Sequence, residues 1–183
     1  MAAEPLAKGE LQLHPAWVSN AANAIAVEVR RPGPEGLILT YALTCDRRRM
    51  EVPADAARGR RDELWRRTCF EAFLNVPGRP DYYEFNFAPS TEWAAYVFDG
   101  YRTGMRDAAV DPPLIQPNLF GDEGEVRVAF TLPQPLRDAP LRLGLAAVIL
   151  AVDGTRSYWA LAHPPGKADF HHPDGFVLNL PAP

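Results

Sequence analysis

Hydrophobic and polar residues alternate with a period of two along most of this chain, the spacing that sends successive side chains to opposite faces of a β-strand. Over 24–30, Ile25, Val27 and Val29 alternate with Ala26, Glu28 and Arg30. A turn at Gly33, Pro34 and Gly36 follows, and 37–44 returns as a β-branched and aromatic strand. The stretch LWRRTCFEAFLNVPGRPDYYEFNFAPSTEWAAYVFDGYR, residues 64–102, predicts three more strands at 68–74, 81–87 and 93–98. Pro77, Gly78 and Pro80 punctuate the first link, and Pro89 and Ser90 the second. Residues 50–63 are charged and alanine-rich and predict loop, with a short helical turn ahead of Leu64 and Trp65. The segment 99–118 reads as irregular because Gly100, Gly104, Pro112 and Pro113 interrupt it. Val126, Val128, Phe130 and Leu132 set a strand at 125–132. Residues 141–152 are apolar on both faces, as a central strand or bent pair would be, and Asp153-Gly154 is a strong hairpin signal. Returning strands fall at 157–162 and 176–180. About nine short strands with turns between them predict an all-β fold, an antiparallel β-sandwich with long proline-rich loops.

The 183 residues correspond to one domain spanning 1–183. Its first ~20 residues read as an extended arm, with Trp17 as a packing anchor. The chain is 47% hydrophobic and 23% charged, enough to bury a sizeable core. Its 19 prolines are roughly double the ~5% of average usage, which favours loops and edge strands over long helices. A net charge of −4 argues against nucleic acid as a partner. Arg47–Arg49 and the cluster of Arg58, Arg60 and Arg61 read as solvated loop charges. Cys45 and Cys69 are too few for a disulfide framework and read as buried free thiols. The N-terminal residues show no secretory pattern, and no apolar run approaches the ~20 residues of a membrane helix, so a cytoplasmic protein is expected. The pattern leaves the oligomeric state open.

The alternation also sorts chemistry onto faces. Glu71 alternates with Phe70 and Ala72, and Glu84 and Asn86 alternate with Tyr83, Phe85 and Phe87. One face of this hairpin is therefore apolar, and the other carries acids and an amide with aromatics nearby. Sugar hydroxyls need convergent donors and acceptors, and their C–H faces stack on rings. Carboxylate, amide and guanidinium groups meet that demand. A solvated sheet face would look the same, with Glu71 and Glu84 paired to Arg66 or Arg102. Directly opposed positions on neighbouring strands lie ~5 Å apart at Cβ, close to the ~5–5.5 Å carboxyl separation of retaining glycosidases. Glu71 and Glu84 therefore also support a hydrolase as an alternative. Residues 163–175 hold three of the four histidines, with His163, Asp169 and His171 as weak candidates for a divalent metal ion. Their spacing matches no strong metal motif. The other reading is a loop whose His and Asp side chains bond backbone and close one end of the sandwich.

The blocks LWRRTCFEAFL…YYEFNFAPSTEWAAYVFDGYR and YWALAHPPGKADFHHPDGFVLNL resemble a bacterial DOMON-like family related to family-nine carbohydrate-binding modules. The resemblance runs over roughly 64–180, and CFEAFL and YYEFNFAPS resemble that family's E-x-F and EFN-x-x-P strands. It implies a β-sandwich with a ligand site on a concave face or at one end, and non-catalytic binding of a carbohydrate or glycan-like molecule. In sugar-binding relatives two tryptophans sandwich a terminal sugar. Here Trp65, Trp93 and Trp159 lie near candidate strands, and Arg102 resembles an arginine that those modules use on hydroxyls. The expected ligand-binding set is Glu71, Glu84, Asn86, Trp93, Arg102, Trp159, His163 and His171. No cofactor is expected from this reading. Other relatives bind haem, for which Met105 with His163 or His171 would be the axial candidates.

Overall fold

Each alternating run becomes a strand because one of its faces is apolar and must be covered. The computed structural model describes residues 4–53 and 58–183. Its strands are β1 (Ala7–Leu13), β2 (Ala22–Gly33), β3 (Gly36–Cys45), β4 (Cys69–Asn75), β5 (Tyr82–Phe87), β6 (Trp93–Phe98), β7 (Arg106–Asp107), β8 (Leu114–Phe120), β9 (Glu123–Thr131), β10 (Leu141–Leu150), β11 (Arg156–Ala160) and β12 (Leu178–Leu180). They pair in the order β7-β6-β5-β4-β10-β11-β1-β2-β3-β9-β8, with β12 also on β10. Every pairing between these strands is antiparallel.

β1 is the pivot. Residues 7–11 pair with β2, whereas Gln12 and Leu13 pair with Ala160 and Trp159 of β11. The curled sheet thus closes into an antiparallel β-sandwich. Ile25, Val27, Leu39 and Val128 from one half meet Phe70, Phe85, Leu145 and Trp159 from the other in the main core. Tyr41 spans the two layers: its ring lies 5.0 Å from that of Phe70, and its hydroxyl donates to the Glu71 carbonyl at 2.8 Å. A wholly buried phenol needs such an acceptor.

The strands that carry Glu71 and Glu84 have a second apolar layer on their outer face. Leu64, Phe73, Tyr82, Phe98 and Phe176 form it, with the loop residue Phe170 packed against it. Fully burying side chains of this size contributes about 1.5–3 kcal/mol each. That holds the loops before β4 and after β11 against the sheet.

Several expectations change. The described residues form twelve strands, not about nine, and the expected N-terminal arm contains β1. Residues 99–118, which read as irregular, hold β7 and all but the last two residues of β8. Pro117 can sit in β8 because β8 is an edge strand, where one side of the backbone has no ladder to complete. The helical turn falls on Leu64–Arg66 itself, and residues 54–57 of the charged stretch lie outside the described residues. Trp17 is 42% exposed and rests against Tyr158, with ring centroids 4.7 Å apart, rather than anchoring a core. Arg60 is no solvated charge: it pairs with Asp107 at 2.9 Å, donates to the Ala108 carbonyl at 3.2 Å, and lies over the Trp93 and Tyr96 rings. Cys45 and Cys69 are free and buried. Among the described residues, no helix is long and apolar enough to cross a membrane.

Candidate functional site

Where the second apolar layer stops short, a cleft of about 790 Å³ opens on the outer face of β4, β5, β6, β10 and β11. Strand periodicity places its floor. Glu71 of β4, Glu84 of β5, Tyr96 and Phe98 of β6, Val148 of β10 and Tyr158 of β11 all point the same way. Glu71 sits opposite Asn86, and Glu84 sits opposite Phe73. The two carboxyl groups are therefore diagonal neighbours, not the directly opposed pair that the hydrolase alternative assumed. Diagonal positions are wider apart, about 7–8 Å at Cα.

The floor is electrostatically loaded. Glu71 is 3% exposed, and its Oε1 is buried with no hydrogen-bond partner. Burial first, and the charge of Glu84 second, push its carboxyl well above the ordinary range. Glu84 is pushed up to about 6 by burial, partly offset by the Asn86 side chain and by Arg102. Asn86 donates to Glu84 Oε1 at 2.7 Å and faces the Cys69 thiol at 3.7 Å. It is a buried support for the floor. Burial likewise raises the Cys69 thiol, which stays protonated.

His171 closes one side. Burial and the nearby Arg102 lower its imidazole to about 4, so it is neutral at pH 7. The Arg102 backbone N–H donates to Tyr82 Oη at 3.3 Å, and Tyr82 Oη lies 2.8 Å from His171 Nδ1. Donation from the Tyr82 hydroxyl to Nδ1 would leave the ring proton on Nε2. That Nε2 faces Glu84 Oε2 at 3.7 Å, too long for a hydrogen bond.

The rim comes from loops. Trp65, 46% exposed, and Asp62 and Glu63 precede β4; Arg102, Met105 and Arg106 follow β6; Ala168 and Phe170 follow β11. Arg102 reaches Asp169 at 2.8 Å, and the Tyr101 hydroxyl donates to the other oxygen of the same carboxylate. Among the described residues, three non-glycine positions have a left-handed backbone, and two of them, Glu63 (φ 61°) and Arg102 (φ 52°), line this cleft. Such conformations cost energy and cluster at functional sites.

Of the expected residues, the structure brings Glu71, Glu84, Arg102 and His171 to one cleft, with Asn86 beneath Glu84. Trp93 and Trp159 are elsewhere. Both point inward to the main core, and the Trp159 indole N–H donates to Ser157 Oγ at 3.0 Å. His163 is also apart: its Nε2 bonds the Gln12 carbonyl at 2.8 Å, and its ring meets His14 edge-on. With Asp169 on Arg102 and His171 on Tyr82, the candidate metal trio does not converge. Among the described residues, no group of three His, Cys, Asp or Glu side chains is placed to hold a metal ion. The aromatic lining was readable in part. Tyr158 alternates with Trp159, and once Trp159 faces the core Tyr158 must face out. Phe170 had no signal, because a loop has no periodicity.

No protein-family model matches the chain, and no curated protein matches it. Solved structures do resemble it. A protein of Bacteroides uniformis provisionally described as carbohydrate-binding superposes with a TM-score of 0.65 at 15% identity, covering 93% of this chain and 84% of that one. A family-nine carbohydrate-binding module from Caldicellulosiruptor kristjanssonii, in complex with cellotriose, gives 0.54 at 11% identity over 92% of this chain and 80% of that one. At these identities the likeness establishes the β-sandwich fold.

Proposed function

We propose that the protein binds a carbohydrate or glycan-like molecule in this cleft without transforming it. The observation that carries the reading is the convergence of the Glu71, Glu84 and Arg102 side chains with the Trp65, Tyr96 and Tyr158 rings on one concave surface. Sugars present hydroxyl edges and C–H faces together, and a cleft that mixes polar groups with rings answers both. The fold shared with a cellotriose-bound module supports the reading. The DOMON-like kinship read from the sequence belongs to the same proposal.

Titration calorimetry against soluble oligosaccharides tests it. Wild type should bind at least one β-linked glucan or amino-glucan fragment, and Arg102→Ala should weaken binding about tenfold. Absence of heat for every sugar at millimolar concentration would end the reading.

One observation favours hydrolysis as a second reading: Glu84 ionises near neutral pH while Glu71 holds its proton, a division of labour that acid catalysis uses. Turnover of aryl glycosides that Glu71→Gln and Glu84→Gln both abolish would establish it. Haem fits less well. Met105 and His171 do share the cleft, but His171 Nε2 faces Glu84, and buried carboxyl groups would lie against the porphyrin. Titration with haem should produce no ligated Soret band.

A further inference from the structure

The charges around this cleft are unevenly matched. At the rim each has a partner: Glu63 with Arg66 at 2.7 Å, Asp107 with Arg60 at 2.9 Å, Arg102 with Asp169 at 2.8 Å, and Arg106 with Asp99 at 2.6 Å. Asp62 accepts the Tyr96 hydroxyl at 2.6 Å. The floor differs. Among the described residues, neither Glu71 nor Glu84 forms a salt bridge with a lysine or arginine. The one ion-pair contact of this floor among the described residues is with a histidine, His171 Nε2, 3.7 Å from Glu84. Glu71 is 3% exposed, and its Oε1 has no hydrogen-bond partner at all.

An unmatched carboxyl pair in a buried floor is costly. Two such groups side by side cannot both ionise without a cation. A buried acceptor without a donor forfeits a hydrogen bond that water would have supplied. Buried charges in folded proteins are normally paired or bound to a metal ion. Here the pair faces an open cleft instead.

We propose that the ligand carries an amino group, and that Glu71 and Glu84 receive it as an ammonium on the cleft floor while the surrounding rings hold the carbon skeleton. The substrate class is an amino sugar, which rests on the carbohydrate reading above and narrows it. An ammonium offers three donors, enough to reach Glu71 Oε1 and Glu84 Oε2 together. A hydroxyl at the same place offers one donor and no charge. An acetamide offers one donor, no charge and added bulk.

Three disaccharides with one skeleton separate these cases: the β-1,4-linked glucosamine dimer, its di-N-acetyl form and cellobiose. They differ only at C2, and each is titrated calorimetrically into wild type and Glu84→Gln at neutral pH. The glucosamine dimer should bind wild type about tenfold more tightly than cellobiose, as a charge-assisted hydrogen bond implies. Glu84→Gln should erase that preference, so that the glucosamine dimer and cellobiose bind the variant with affinities within about twofold of each other, with circular dichroism confirming the fold. Cellobiose or the acetylated dimer binding as tightly as the amine would overturn the amino-sugar assignment and leave the carbohydrate reading in place. Retention of the amine preference in Glu84→Gln would overturn the floor as its source. No binding by any of the three would overturn both.

Discussion

Replacing Glu84 by glutamine keeps the shape of the cleft floor and removes its capacity to ionise, and the structure sets both the direction and the size of the stability response. In the folded chain the carboxyl is lifted from its ordinary 4.5 to about 6, chiefly by burial. A lift of that size costs the folded state about 2 kcal/mol once the group is ionised. Below pH 4.5 folded and unfolded chains both hold the proton, and the cost is absent. Between 4.5 and about 6 the folded chain keeps a proton that the unfolded chain releases, so stability falls as pH rises. Above about 6 the whole cost is in place. His171 works in the other direction: held near 4 instead of 6.5, it contributes stability that is present above 6.5 and lost as pH falls toward 4. It does so in both chains and cancels in their difference.

From acid to neutral pH the variant should therefore gain about 2 kcal/mol on wild type, against a total of about 5–15 kcal/mol for a domain. With a urea slope of about 2 kcal/mol/M, the unfolding midpoints of the two proteins should diverge by about 1 M between acid and neutral pH. Tryptophan fluorescence across a pH series reads this directly. Any constant offset from the changed bond to Asn86 drops out. Midpoints that keep the same spacing at every pH would show that Glu84 is not held as a desolvated carboxylate, and the electrostatic account of the floor would fall with it.

Three other substitutions probe the frame around that floor. Trp65→Ala removes a half-exposed ring from the rim, so it should weaken sugar binding about tenfold by calorimetry while changing stability by less than about 0.5 kcal/mol. Gly104→Ala places a Cβ 2.1 Å from Asp99 Oδ2 at φ +65°, in the turn beside Arg102. It should cost about 1–3 kcal/mol in a thermal melt and weaken binding in parallel. Tyr41→Phe removes the bridge to the Glu71 carbonyl across the core and should lower stability by about 1 kcal/mol in urea.

The sequence carried the sandwich because its strands are half-buried, and half-burial writes itself as alternation. Glu71, Glu84 and Asn86 were placed on one face for the same reason: a residue flanked by Phe70 and Ala72, or by Phe85 and Phe87, has only one side left. Registers were beyond that logic. The offset that makes Glu71 oppose Asn86 rather than Glu84 depends on the 76–81 loop, which no periodicity constrains. The tryptophans misled for a related cause. Nearness to a strand says nothing about facing, and Trp93 and Trp159 alternate with outward residues, Ala94 and Tyr158. β8 was hidden by Pro117, which argues against a central strand but not against an edge.

The two layers of the sandwich also explain why the cleft lies where it does. On β2 and β3 the outward residues include Ala24, Ala26, Glu28, Thr40 and Ala42, small or charged groups that meet solvent without a cover. On β4, β5 and β6 the outward residues include Phe73, Tyr82, Tyr96 and Phe98, which cannot be left bare. Loops before β4 and after β11 must therefore fold down over them, and Phe170 and Phe176 are the residues that lock the second loop in place. That cover ends where Glu71 and Glu84 replace aromatic residues in the outward pattern, because two carboxyl groups cannot complete an apolar layer. The hollow follows from this break in the pattern. Filling it by Glu71→Leu with Glu84→Met should raise stability by removing the buried acids, as replacement of buried charges by apolar residues often does. The double variant should also lose all sugar binding in calorimetry. A double variant that still binds would place recognition on the rim alone.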